Sequence, residues 1–302
     1  MRKTMRMIFY GGRSLKRRDP LIVPQEQMTI ARHFNAGFDR KSVVTTIAFL
    51  IFFSLSVKAE TNSLSDAEIQ GQTLAQKILA QRPTAYQTNS GILQIHDPDG
   101  HRSEFPVQCT TFVTPAAPSF WEQIYEADFT NHFIALVVMH PESETNVYLY
   151  NTNRAHQVPV MGDLPLVGAI GGLFNHHQSS GTELMTPFAG SDFWLCDLGL
   201  EFFHWPQQKV LKKEFHRQCA CTVLESTNPN PSPDGYSRVV CWIDNDSLGI
   251  VEAYAYDARG RKLKNFYPKD FEKVHDQYQL ESMVMENLQT GSKSVIEFDL
   301  NK

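Results

Sequence analysis

The residues with the most chemical potential lie close together between His204 and Cys221. His204, His216, Cys219 and Cys221 offer two imidazoles and two thiols, the ligand types of a zinc site. Structural zinc sites space their ligands C-x2–4-C or H-x3–5-H. The C-x-C pair here departs from that spacing and puts both sulfurs on one face of a strand. His176 and His177 are adjacent, so on a helix they point in different directions. Asp244 and Asp246 fall in a turn, where aspartate is favoured for backbone reasons. The chain contains no G-x-S-x-G elbow, no H-E-x-x-H, no phosphate loop and no dinucleotide fingerprint. Gly168-Ala169-Ile170-Gly171-Gly172 imitates the last of these but follows no buried strand. These patterns point to a protein with no catalytic residue, no cofactor and no resident metal. A metal-dependent hydrolase built on His204, His216 and Cys219 is the weakest reading.

The five cysteines are Cys109, Cys196, Cys219, Cys221 and Cys241. An oxidising compartment permits disulfides, and a Cys221–Cys241 bridge across neighbouring strands is open to this chain, although spacing does not fix connectivity. An odd count leaves one thiol over, and small buried thiols in a sheet are the plain alternative. The aromatics concentrate in the C-terminal half, at Phe188, Phe193, Trp194, Phe202, Phe203, Trp205, Trp242, Tyr254, Tyr256 and Phe266. An aromatic stripe is commonly core. On a curved sheet, however, one wide apolar face must be covered, either by helices or at times by a ligand.

Those side chains must be positioned by strands. Residues 91–96, 107–113, 121–128, 133–140, 146–150, 219–225, 236–243, 250–256, 262–267, 278–287 and 293–300 read as strands joined by short polar turns, and the whole stretch from Leu184 to Leu300 reads as strand after strand. Such an order favours antiparallel pairing, and a sheet this long curls or closes to escape its edges. Phe133–Met139 is apolar on both faces and reads as central. Asp97-Pro98-Asp99-Gly100 and Asp257-Ala258-Arg259-Gly260 are hairpin turns. Residues 64–81 form the clear N-terminal helix, with Ser65 and Glu68 as its capping box. Leu164, Leu166, Val167, Ile170, Leu173 and Phe174 recur at helical spacing, loosened by Gly168, Gly171 and Gly172. That segment reads as a mobile lid, or as a plain helix packed on the sheet.

Arg40 and Lys41 precede an apolar run, Val43 to Val57, followed by Val57-Lys58-Ala59. The run is shorter than the ~20 residues of a spanning helix. It matches the charged, apolar and small-residue regions of a secretory signal, with cleavage after Ala59; a membrane anchor is the alternative. No cysteine lies near Ala59, so the mature protein is not expected to be a lipoprotein. Met28 gives the signal a normal length and is the expected start. Residues 1–59 hold 11 of the 28 basic and 3 of the 33 acidic residues, which leaves residues 60–302 with 17 basic and 30 acidic, a net charge of 17 − 30 = −13. Such a surface is a poor partner for nucleic acid and for anionic lipid. Residues 60–302 read as a single domain.

Gly190-Ser191-Asp192-Phe193 with Asp197-Leu198, Cys221 to Glu225, Tyr236 to Asp244, Tyr256-Asp257 with Gly260 and Lys262-Leu263-Lys264, and the closing Asn287 to Leu300 together resemble the outer membrane lipoprotein-sorting proteins, relatives of the carrier LolA and its receptor LolB. The resemblance covers Leu184 to Leu300 well and Gly91 to Gly181 loosely. It implies a mainly β (α+β) fold in which a strongly curved antiparallel sheet forms an incomplete barrel closed by helices. It also implies a periplasmic, non-enzymatic carrier whose apolar cavity takes the acyl chains of a lipoprotein or lipid, with docking partners among envelope membrane proteins. On that reading Phe188, Phe193, Trp194, Trp242, Tyr254 and Tyr256 bind lipid, and Leu166, Val167, Ile170, Leu173 and Phe174 form the lid. The second reading is a non-catalytic envelope module with the same fold and a filled cavity.

Overall fold

The computed structural model describes residues 63–83, 85–113, 120–129, 132–141, 145–152, 178–179, 181–274 and 277–300. From Leu64 onward they belong to one compact unit. Helix α1 (Asp66–Leu79) is followed by β1 (Gln87–His96), β2 (Arg102–Val113), β3 (Trp121–Phe129), β4 (His132–His140), β5 (Val147–Asn151) and the two-residue β6 (Gln178–Ser179). An irregular stretch then holds 3-10 turns at Gly181–Met185, Phe188–Gly190 and Glu201–His204 and a short helix α2 (Leu195–Leu198). It leads into β7 (Gln207–His216), β8 (Cys219–Thr227), β9 (Arg238–Asp244), β10 (Ile250–Tyr256), β11 (Lys262–Val274), β12 (Gln277–Asn287) and β13 (Lys293–Phe298).

All thirteen strands form one curved antiparallel sheet in the order β6-β5-β4-β3-β2-β1-β13-β12-β11-β10-β9-β8-β7. Every neighbour is also a sequence neighbour except at the centre, where β1 pairs with β13, with Leu93 opposite Ile296. The chain therefore runs outward to β6, crosses over, and winds back from β7 to β13. The short hairpins allow antiparallel pairing throughout. Strands β6 and β7 remain as edges among the described residues, so the barrel is incomplete.

Alternation assigns the faces. Leu93, Leu136, Val138, Leu224, Cys241, Ile243, Ala253, Met285 and Ile296 point into the main core, on the concave side. On β4, Ala135, Val137 and Met139 join Ile124 in a second apolar cluster, so this strand is apolar on both faces as its sequence predicts. Helix α1 packs across β7. Its capping box forms as expected: the Glu68 backbone N–H donates to Ser65 Oγ at 3.4 Å, and the Ser65 N–H donates to Glu68 Oε2 at 2.7 Å. The helix needs glycine at 71, where a Cβ would sit 2.5 Å from the Gln208 and Lys209 backbone.

One expectation is corrected. Residues 181–205 are not strands. They form a plug of 3-10 turns and a short helix seated on the concave face, with Phe188, Phe193, Leu195 and Phe203 all buried. Their aromatic content fills the core rather than lining a sheet. The edge strand β7 falls within the stretch read as strand after strand, but the sequence reading gives it no bounds of its own. The expected lid, Leu164 to residue 177 with its five apolar positions, falls outside the described residues.

Candidate ligand cavity

The plug fills only part of the concave face. Beside it lies a cavity of about 1070 Å³. Its walls come from the C-terminal turn of α1 and the residues after it (Ile78, Leu79, Gln81, Arg82), the ends of β3 and β4 (Trp121, Gln123, Tyr125, His140), the plug (Phe193, Leu198, Leu200, Phe203, His204), the β9–β10 turn (Leu248, Gly249, Ile250) and β11–β12 (Phe266, Pro268, Leu280, Met283). The volume reaches the top of the ~300–1,000 Å³ range of small-molecule sites, and mostly apolar walls with a few polar groups are usual for such sites.

The plug is held by polar groups that the sequence resemblance had already singled out. Asp192 accepts from Ser292 Oγ at 2.7 Å and from Ser294 Oγ at 2.8 Å, which ties it to β13. Lys264 on β11 is buried and donates to the Asp192 carbonyl at 2.5 Å. Its ammonium lies 3.5 Å from the centre of the Trp194 ring and 3.9 Å from Asp197 Oδ2. Asp197 Oδ2 accepts from the Trp194 N–H at 2.8 Å and from Tyr236 Oη at 3.1 Å. Burial pulls Lys264 down to about 8, partly offset by Asp197, and burial raises Asp197. On the β5 side, Tyr148 Oη donates to Glu201 Oε2 at 3.1 Å, and Asn146 Nδ2 donates to the Gly199 carbonyl at 2.7 Å. Burial lifts the Glu201 carboxyl to about 7. Gly199 must lack a side chain, because a Cβ there would lie 2.1 Å from Tyr148 Oη. Leu200, a cavity-wall residue, adopts a left-handed backbone with φ 51°.

One end of the cavity is polar. The His140 ring stacks on Trp121 with centroids 3.8 Å apart and planes at 9°, and its Nε2 lies 3.3 Å from Gln123 Oε1. Burial drives His140 down to about 3, against a hydrogen bond with Asn146 and with the help of His204 and Arg82. Burial, then the Arg82 charge, drives His204 down to about 4. Both imidazoles are therefore neutral near pH 7. Arg82 is the one cation of the cavity wall among the described residues.

The six aromatics expected to bind lipid divide between the two faces. Phe193 lines the cavity, while Phe188 and Trp194 sit within the plug, Trp194 stacked on Tyr236 with centroids 4.6 Å apart. Trp242, Tyr254 and Tyr256 alternate with the inward-facing Cys241, Ile243, Ala253 and Ala255 and stand on the outer face. There Trp242 donates to Glu214 at 2.6 Å, and Lys262 and Arg238 cover Tyr254 and Tyr256 at 3.6 and 4.1 Å. Their placement in the cavity wall is thus corrected. Sequence reasoning missed Arg82, His140 and His204 as wall residues, because each lies at the end of an element and carries no periodic signal.

The cysteine and metal expectations also meet the geometry. Cys221 and Cys241 are free. Cys241 pairs with Leu224 and Cys221 with Asp244, so the two side chains leave opposite faces of the sheet and cannot bridge. His204 lines the cavity, whereas His216 bonds Glu252 at 2.6 Å on the outer face, so the hydrolase set does not converge. Asp244 accepts from Ser247 Oγ at 2.6 Å and serves its turn. Among the described residues, Asp97, Asp99 and His101 bring metal-competent atoms together, in the exposed β1–β2 turn. His176 and His177 lie outside the described residues.

A family model described as an uncharacterized protein matches residues 175–301. A DUF1329 family protein from Desulfovibrio piger superposes with a TM-score of 0.58 at 16% identity, over 78% of this chain and 92% of that one. A domain assigned to outer membrane lipoprotein sorting from Vibrio parahaemolyticus superposes with a TM-score of 0.57 at 18% identity, over 77% and 91%. The chain shares the fold of these two structures. A LolA superfamily protein from Nitrosomonas europaea matches with a TM-score of 0.48 at 16% identity, over 76% and 91% of the two chains. No curated protein matches the sequence.

Proposed function

We propose that this chain is an exported, periplasmic carrier that shields acyl chains of a lipoprotein or lipid inside its half-barrel, without catalysing a reaction. The observation that carries this reading is the cavity of about 1070 Å³ left between the plug and the sheet. Burying an acyl chain contributes ~0.8 kcal/mol per methylene, so ten methylenes give roughly 8 kcal/mol, on the scale of micromolar binding, with no chemistry required. The secretory pattern before Ala59 and the acidic surface of residues 60–302 support a protein that moves through an aqueous compartment without adhering to anionic membranes. Phe193, Phe203, Phe266, Leu280 and Met283 are the wall residues that would touch the chain. The test is co-purification of lipid from cell envelopes, read by mass spectrometry, together with displacement of a fluorescent fatty-acid probe. Saturable displacement supports the carrier, and its absence in a folded, lipid-free protein refutes it. The same cavity, left beside the plug among the described residues, favours the carrier over the filled-core alternative.

A further inference from the structure

The polar end of the cavity is built unlike the rest of it. Arg82 is half-buried. Among the described residues its one hydrogen bond is a long one, from Nη1 to the His140 carbonyl at 3.5 Å, and no carboxylate there pairs with it. Trp121 Nε1 and His204 Nε2, on two other wall residues, are shielded from solvent and have no hydrogen-bond partner among the described residues. The indole is a donor only, and a neutral imidazole can donate through Nε2. Asp197 is the only carboxylate among the wall residues described, and it is already engaged by Tyr236, the Trp194 N–H and the nearby Lys264. A guanidinium partly removed from water without a counter-charge is unfavourable, and so are buried unmade hydrogen bonds.

We infer that the cavity takes an amphiphile with a negatively charged head, whose carboxylate or phosphate seats against Arg82 beside Trp121 and His204 while its chain lies along Phe266, Leu280 and Met283. This deepens the carrier reading and rests on it. A planar guanidinium matches a carboxylate or phosphate with paired N–H donors. A neutral head would leave that cation without a counter-charge. The site is also isolated in sign: residues 60–302 carry a net charge of −13, so the cation does not extend a basic surface. The depressed titration of both histidines, to which the Arg82 charge contributes, places the three groups within one electrostatic neighbourhood.

The experiment titrates the full chain, cleared of endogenous lipid, with a fluorescent fatty-acid probe. It compares competition by a long-chain carboxylate, by its methyl ester and by inorganic phosphate. The carboxylate should compete roughly tenfold or more better than the ester. Arg82→Gln should erase that preference and leave the ester within about twofold, while Arg82→Lys, which keeps the charge, should retain much of it. Equal competition by acid and ester in the unaltered protein overturns the inference and leaves the carrier reading standing. Equal weakening of both ligands by Arg82→Gln also overturns it, because Arg82 would then only shape the wall. Displacement by inorganic phosphate alone overturns the amphiphile claim in favour of a free-anion site. If neither amphiphile displaces the probe, the carrier reading itself fails.

Discussion

Glu201→Gln isolates one buried charge in the joint between plug and sheet. Glu201 is buried and accepts from Tyr148 Oη, and its carboxyl is lifted from 4.5 to about 7, chiefly by burial. Below pH 4.5 both the folded and the unfolded chain hold the proton. Between 4.5 and about 7 the folded state keeps a proton that the unfolded state has released, so raising the pH through this window favours unfolding. The loss is about 1.4 kcal/mol per pH unit, or roughly 3 kcal/mol across the window. Glutamine keeps the shape and an acceptor for Tyr148 but has no proton to lose. The variant should therefore gain stability relative to the parent as pH rises, by up to roughly 3 kcal/mol between about pH 5 and pH 8. Urea titrations of both proteins at each pH measure this difference directly. A difference that stays flat would mean that Glu201 is solvated and that the plug does not pack on β5 as described.

Further outcomes follow from the same packing. Lys264→Met should destabilise the protein by about 3–5 kcal/mol, because it leaves the nearly enclosed side chain of Asp197 without its cation; urea unfolding of the variant checks this. Gly199→Ala should cost about 1–3 kcal/mol, since its Cβ meets Tyr148 Oη at 2.1 Å and the plug must shift; thermal unfolding reads it, and an unchanged midpoint would show that the contact is loose. Alkylation without reduction, followed by peptide mapping, should find no Cys221–Cys241 cross-link, because the two thiols leave opposite faces of the sheet.

Much of the fold is legible in the chain because its cues are local. Ser65 and Glu68 announce α1, and Asp97-Pro98-Asp99-Gly100 and Asp257 to Gly260 announce hairpins that form as read. The apolar run on β4 announces a strand buried on both faces. What failed depends on tertiary context. Strand β7 is an edge strand rich in lysine and glutamine, so its apolar alternation is weak. The plug carries strand-like aromatics, yet Ala189 and Leu200 take left-handed backbones that no strand allows. Tyr254 and Tyr256 share a face by alternation alone, but which face is decided elsewhere. Ala253 and Ala255 point inward against the plug, and the tyrosines are left outside beneath Lys262 and Arg238. The cavity's polar end was illegible because Arg82, His140 and His204 meet only when α1, β4 and the plug converge.

On the proposed function, the space beside the plug holds an acyl chain. Its most direct measurement is native mass spectrometry of the protein released gently from cell envelopes, followed by solvent extraction and identification of what leaves. One acyl-bearing molecule should leave per chain, lost when Leu280→Arg places a charge in the apolar wall and retained when Tyr254→Ala alters the outer face. A folded protein that emerges free of lipid and takes up none from added fatty acid would contradict it.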